Sequence, residues 1–290
     1  MPRRRWTSEA ARALMAITGT DDPVTAMEVC ANDLLDEVGV TGPPVPLHVL
    51  ASFQGIRAIE RVEMESSGRL ITSAGGSIVQ VNSRESPLRQ NFTIAHEIAH
   101  TFFPSFLVSP APILDDHTGH YPPVDEEEYL CDVGASALLL PARWLGPACA
   151  ELTPSLDNLN RLAGRFRASL EATARAIARL DAWPFALVFW EPGWRKADRP
   201  TDGESGLVPA TWRVTRVVAS PSFGVFIPRN KSISEDSTVH QAMSAGGSVS
   251  GVDRLTLGQT TIDLHAESLA LSSGRNESLR PRIVSFFTRM

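Results

Sequence analysis

Apolar residues recur at a helical period in several stretches before residue 181 and at a strand period in most runs after Trp183. Thr7 or Ser8 starts a first helix, which Gly19 stops. Asp21, Asp22 and Pro23 open a second, with Ala26, Val29, Cys30, Leu34 and Val38 on one face. GPPVP at 42–46 breaks it, and Leu47 to Phe53 predicts a third, ended by Gly55. Alternation over 56–62, 68–72 and 77–81, around the turn at 74–76, predicts short strands. Helices follow from about Leu88 to Phe103 and from Glu126 to Leu140, separated by a Pro-, Gly-, Asp- and His-rich loop at 104–125. Residues 155–181 read as two helices around a tight turn. FALVFWEP, TWRVTRVVAS, FGVFIP, SVSGVDRL and TIDLHAESLAL read as strands.

The pattern therefore predicts an α+β chain in three parts: 1–150, a helical segment at 151–183, and a mostly β region at 184–290. A chain of 290 residues with 43% hydrophobic and 21% charged residues has enough apolar surface for one buried core or two. Its formal charge of −6 argues against a chain built as a whole to bind nucleic acid. The three cysteines, Cys30, Cys131 and Cys149, are odd in number and lack CxxC spacing. They read as small core residues of a reducing cytoplasm, without a disulfide framework. The start MPRRRWTSEAARALM has no apolar segment typical of a secretory signal, and no run approaches the ~20 apolar residues of a membrane span. A cytoplasmic protein with no membrane partner is expected.

One helix breaks the pattern. NFTIAHEIAHTFF, residues 91–103, sets His96, Glu97 and His100 among Phe92, Ile94, Ala95, Ile98, Ala99, Phe102 and Phe103. Polar groups in such a setting are buried and require partners. His96 and His100 are four residues apart and share a helix face, so both imidazoles reach one point. That spacing suits zinc, at about 2.0–2.1 Å from each nitrogen. Glu97, one residue on, is placed to take a proton from an attacking water and pass it to a leaving amine. A catalytic zinc site also needs a third protein ligand. Glu128 and Asp132 share a face of the next helix. Glu128 is the candidate ligand, and Asp132 is placed to hold a ligand imidazole's second nitrogen. Glu127 is the alternative, while Glu126 and Glu127 also suit a helix N-terminus as acids. His117, His120 and Tyr121 read as loop or substrate-cleft residues, and Arg89, in the first turn of the motif helix, as a substrate-cleft residue.

These residues resemble the ImmA/IrrE-type metallopeptidases over about residues 24–141. PPVPLHVLASFQGI is similar to the family's leading helix, and GRLITSAGGSIVQVNSRES to its strand segment with a characteristic asparagine, here Asn82. RQNFTIAHEIAHTFF and EYLCDVGASALLLP resemble its two signatures. Cys131 and Gly134 depart from them, standing where an alanine and an aromatic are usual. The resemblance implies a zincin-like domain with a gluzincin-like set: His96, His100 and Glu128 on zinc (manganese as the alternative ion) and Glu97 as general base. It also implies a protein substrate, a helix-turn-helix repressor whose cleavage induces DNA-damage, stress or mobile-element genes. The IrrE branch carries a peptidase domain, a helix-turn-helix-like segment and a GAF-like sensor. This chain is similar in layout, though beyond residue 183 the resemblance is one of architecture only.

Two other readings compete. In one, 155–181 reads DNA with Arg161, Arg165, Arg167, Arg175 and Arg179, and the peptidase fold is vestigial. LEATARAIARL offers a major groove little besides alanine and leucine, so direct nucleic-acid binding is not favoured. In the other, the chain is a protein-binding module that needs no zinc.

Overall fold

The computed structural model describes residues 6–73, 75–104, 106, 126–194, 210–271 and 282–290. Helix and sheet are mixed, and the chain divides into two compact units. One comprises residues 1–145 and 163–172; the other comprises 146–162 and 173–290.

The first unit begins with α1 (Glu9–Thr18) and α2 (Pro23–Glu37). Ser8 caps α1 by accepting the Ala11 N–H at 3.0 Å, and Gly19 closes it with a left-handed φ of 68°. Asp22 caps α2, and Pro23 takes a first-turn position where no N–H is needed. After α3 (Leu47–Phe53) come β1 (Ile56–Val62), β2 (Gly68–Ser73) and β3 (Gly76–Asn82). Their order is β1-β3-β2; β3 pairs in parallel with β1 and antiparallel with β2, which leaves β2 an edge strand.

Helix α4 (Pro87–His100) follows, with Ser86 as cap and Pro87 in its first turn. It stops short of the Phe103 expected from the sequence. The N–H groups of Thr101, Phe102 and Phe103 turn back to the carbonyls of Ile98, Ala99 and His100, a tighter i→i+3 pattern. Helix α5 (Glu126–Leu139) packs on both α4 and α2. A Cβ at Gly134 would lie 2.6 Å from Met27 Cε and 2.7 Å from Ala99 Cβ. The three helices are therefore packed too closely at that point for a side chain.

Helix α6 (Ala142–Ala150) begins just past Leu140, where the sequence pattern ends the preceding helix and predicts no further one before 155. The Pro141 carbonyl instead accepts from Trp144 and Leu145 and opens the next helix. Helices α7 (Leu156–Phe166) and α8 (Leu170–Arg179) follow, with Arg167 between them at a φ of 52°.

The second unit holds a five-stranded antiparallel sheet, β5-β4-β8-β7-β6, built from β4 (Phe185–Gly193), β5 (Thr211–Ala219), β6 (Ser248–Leu257), β7 (Thr260–Leu271) and β8 (Arg282–Arg289). Strand β8 and helix α9 (Thr238–Ala245) are further elements the sequence pattern did not announce. FGVFIP is not a strand. Pro221–Phe223 form a 3₁₀ turn, and Gly224 takes a left-handed φ of 68° that ends any extended run. Phe223 and Ile227 are buried while Phe226 faces solvent, so the alternation reports burial without strand pairing.

A polar chain crosses this apolar core. Trp190 Nε1–H donates to Ser285 Oγ at 2.9 Å, Ser285 and Ser268 hydroxyls are 2.6 Å apart, and Ser268 and Thr238 hydroxyls 2.7 Å. Thr238 then gives its hydroxyl and its N–H to the two oxygens of Asp253, at 2.8 and 2.7 Å. Burial raises the Asp253 pKa against the lowering effect of these bonds.

Candidate metal centre

Helix α4 buries every member of its polar trio: His96 is 2% exposed, Glu97 0% and His100 4%. Helix α5 faces it with Glu128, Cys131 and Asp132, which share one side at i, i+3 and i+4. The two helices converge on His96. Its Nε2 lies 3.0 Å from Glu128 Oε2 and its Nδ1 lies 3.0 Å from Asp132 Oδ1. His100 Nε2 lies 3.5 Å from the other oxygen of Glu128, and the two imidazole centroids are 5.0 Å apart. Burial pulls the His96 pKa down. The bonds to Asp132 and Glu128 outweigh it, helped by the charges of Glu97 and Asp132, and raise it from 6.5 to about 10.

Position along α5 separates the three glutamates. Glu128 is buried against the histidines, whereas Glu127 is only half-buried. Glu126 turns to the start of the chain, where its carboxylate accepts the Thr7 and Ser8 N–H groups at 2.7–3.0 Å. Burial raises its pKa, but those bonds together more than offset this and lower it.

Glu97 stands where β2 crosses α4. A Cβ on Gly68 would lie 2.2 Å from Thr93 Cγ2 and 2.9 Å from the Gln80 carbonyl, and 3.5 Å from Glu97 Oε1. Only glycine lets the edge strand come this close to the helix. Asn82 fastens the neighbouring loop: its amide donates to the Met64 and Ser66 carbonyls at 2.7 and 3.1 Å, and Gln90 donates to its carbonyl at 3.0 Å. Arg89 donates to Ser67 Oγ at 3.2 Å, lies 3.8 Å from Glu85, and covers the Phe92 ring at 5.5 Å. His117, His120 and Tyr121 lie outside the described residues.

Two contributors escaped the sequence reading. Gly68 left no signal, because a close approach of strand to helix is a tertiary fact. Cys131 was read as plain core. It is fully buried, yet its Sγ and nitrogens of His96 and His100 all lie within 4.8 Å of one another. Its spacing of three from Glu128 was the available clue. Burial and the charges of Glu128 and Glu97 raise its pKa well above the ordinary thiol value.

The donor set fits a divalent metal. Two imidazoles meet on one carboxylate, and a second carboxylate steers one ring through its other nitrogen. A mixed nitrogen and oxygen set suits zinc and also accepts other first-row ions. Residues 54–178 match the IrrE N-terminal-like domain of peptidase family M78. Over these residues the chain is similar to the IrrE-type metallopeptidases.

Two curated relatives are named Radiation response metalloprotease IrrE. The one from Deinococcus deserti is 34% identical over 110 residues, 37% of this chain and 38% of the relative. That from Deinococcus radiodurans is 29% identical over 150 residues, 50% of this chain and 44% of the relative. The matches thus span less than half the length of either. A Mycobacterium tuberculosis transcriptional regulator aligns in structure over 97% of this chain and 81% of its own, with a TM-score of 0.53 and 15% identity, a likeness of fold alone. No described helix is long and apolar enough to cross a membrane.

Proposed function

We propose that this protein is a zinc-dependent endopeptidase that cuts a helix-turn-helix transcriptional repressor in the cytoplasm and so induces stress-response genes. The observation that carries the reading is the convergence of His96, His100 and Glu128 at 3.0–3.5 Å, with Asp132 on the far nitrogen of His96. His96, His100 and Glu128 would hold the ion. Zinc, when bound, supplies a Lewis acid that polarises a peptide carbonyl and brings the pKa of water to about 7.

The chain's own residues do the rest. Glu97 takes the proton of the attacking water and delivers it to the leaving amine. Its burial beside Gly68 holds the carboxylate at one place along the edge of β2. Asp132 fixes the His96 ring and its tautomer. Manganese is the alternative ion, since the donor set is not exclusive to zinc. The names of the two Deinococcus relatives support a radiation or DNA-damage setting. In this reading residues 184–290 sense a signal or dock the substrate.

DNA recognition through α7 and α8 is disfavoured. Helix α8 buries Thr173, Ala174, Ala176, Ile177 and Ala178, which leaves Arg175 and Arg179 as its solvent-facing cations. The test is co-expression with the helix-turn-helix repressor encoded nearest the gene, wild type against Glu97→Gln. Repressor cleaved only by the wild type is the expected result. Repressor intact in both, with zinc bound, overturns the substrate assignment.

A further inference from the structure

We propose that Cys131 is a fourth protein donor to the same ion, which makes the resting centre a closed set of His96, His100, Glu128 and the Cys131 thiolate. This rests on the metal site proposed above and extends it.

The argument begins with helix geometry. Glu128 and Cys131 are one turn apart on α5, so the face that brings the carboxylate to the histidines brings the thiol as well. The sulfur and nitrogens of both imidazoles all lie within 4.8 Å of one another. Donors around one tetrahedral zinc, at about 2.3 Å for sulfur and 2.1 Å for nitrogen, stand roughly 3.6 Å apart. The separations among these three donors therefore have to shorten by at most about 1.2 Å; Glu128 stands outside that group and joins it through its contacts of 3.0 and 3.5 Å with the two imidazoles. Cys131 is 0% exposed, so solvent and small oxidants do not compete for it. The chemistry balances: a metal–sulfur bond would replace the S–H bond and the thiol proton leaves to solvent, as does the proton held between His96 Nε2 and Glu128.

The arrangement has a consequence for the proposed peptidase. Catalytic zinc sites keep an open position, while structural sites fill all four. A centre closed by Cys131 must give up the thiolate before a substrate carbonyl or a water can enter. Sulfur also makes the site softer, favouring zinc over manganese or magnesium.

Cobalt(II) loading of the metal-free protein tests this without reference to activity. Wild type is expected to develop an intense near-ultraviolet thiolate-to-cobalt band at one equivalent of ion, accompanied by tetrahedral visible bands. Cys131→Ala and Cys131→Ser are expected to lack the near-ultraviolet band and to hold zinc about tenfold or more weakly against a chelator, a loss typical when a supporting group is removed. Cys149→Ser is expected to match wild type. The serine variant changes a single atom, so equal circular dichroism with wild type separates lost ligation from misfolding. A wild-type complex without the band, in which cobalt binding still depends on His96, overturns the role of Cys131 alone. The same follows if the band persists in Cys131→Ser. Cobalt binding unchanged in His96→Ala overturns the metal centre itself.

Discussion

The protein buries two polar clusters, and they differ in kind. In the second unit, Trp190, Ser285, Ser268, Thr238 and Asp253 form a line in which each donor faces an acceptor and the line ends on a carboxylate holding two bonds. In the first unit, α4 and α5 press two imidazoles and two carboxylates together, and both histidines reach for the same glutamate. The serine and threonine line is complete as protein. The histidine cluster gathers lone pairs at one point, which is the chemistry of a cation site. Burial alone does not mark a functional cluster; what distinguishes them is the kind of group gathered, hydroxyls in a line in one and two imidazoles converging on a carboxylate in the other.

Substitutions separate the two clusters, beginning with the largest effect. Glu97→Gln is expected to lower peptide cleavage by about 10²–10⁴-fold, with metal content unchanged, as measured by rate and by elemental analysis of the same preparation. Asp132→Ala frees the His96 ring to turn. Metal affinity should fall about 10–100-fold in a chelator competition.

Asp253→Ala probes the contrast from the other side. It strips the buried hydroxyl and N–H of Thr238 of their acceptor, for a loss of about 1–3 kcal/mol in denaturant unfolding, and leaves metal affinity untouched. Gly134→Ala pushes a methyl against Ala99 and Met27, where α5 meets α4 and α2. Overpacking of this kind costs about 1–3 kcal/mol. Because Gly134 is two residues from Asp132, a smaller drop in metal affinity should accompany it.

The convergence of the candidate residues was legible in the sequence because they stand at helical spacing. His96 and His100 are one turn apart, and Glu128 and Asp132 repeat that spacing on a second helix, so each pair shares a face before any fold is known. What brings the faces together was not legible. Gly134 and Gly68 act through the absence of a side chain at a crossing, and a glycine within a helix or strand does not by itself mark where another element will pass.

Local pattern misled where tertiary context decided. The alternation of FGVFIP reflects a buried Phe223 and Ile227 in a turn, not a paired strand. The opposite error hid β8, an apolar run without alternation that pairs on both sides with β4 and β7. Helix α6 was hidden by Pro141, which read as a stop and stands at a start. Cys131 was underread for a related reason: a buried cysteine is ordinarily a small hydrophobe, and only the neighbouring imidazoles give its position meaning.

The proposed chemistry requires that His96, His100 and Glu128 hold one ion. Elemental analysis of purified protein after dialysis, wild type beside His96→Ala, decides whether they do. One zinc per wild-type chain is expected, and less than about a tenth of that in the variant, with both proteins folded by circular dichroism. Equal metal content in the two, or none in a folded wild type after incubation with zinc, would contradict it.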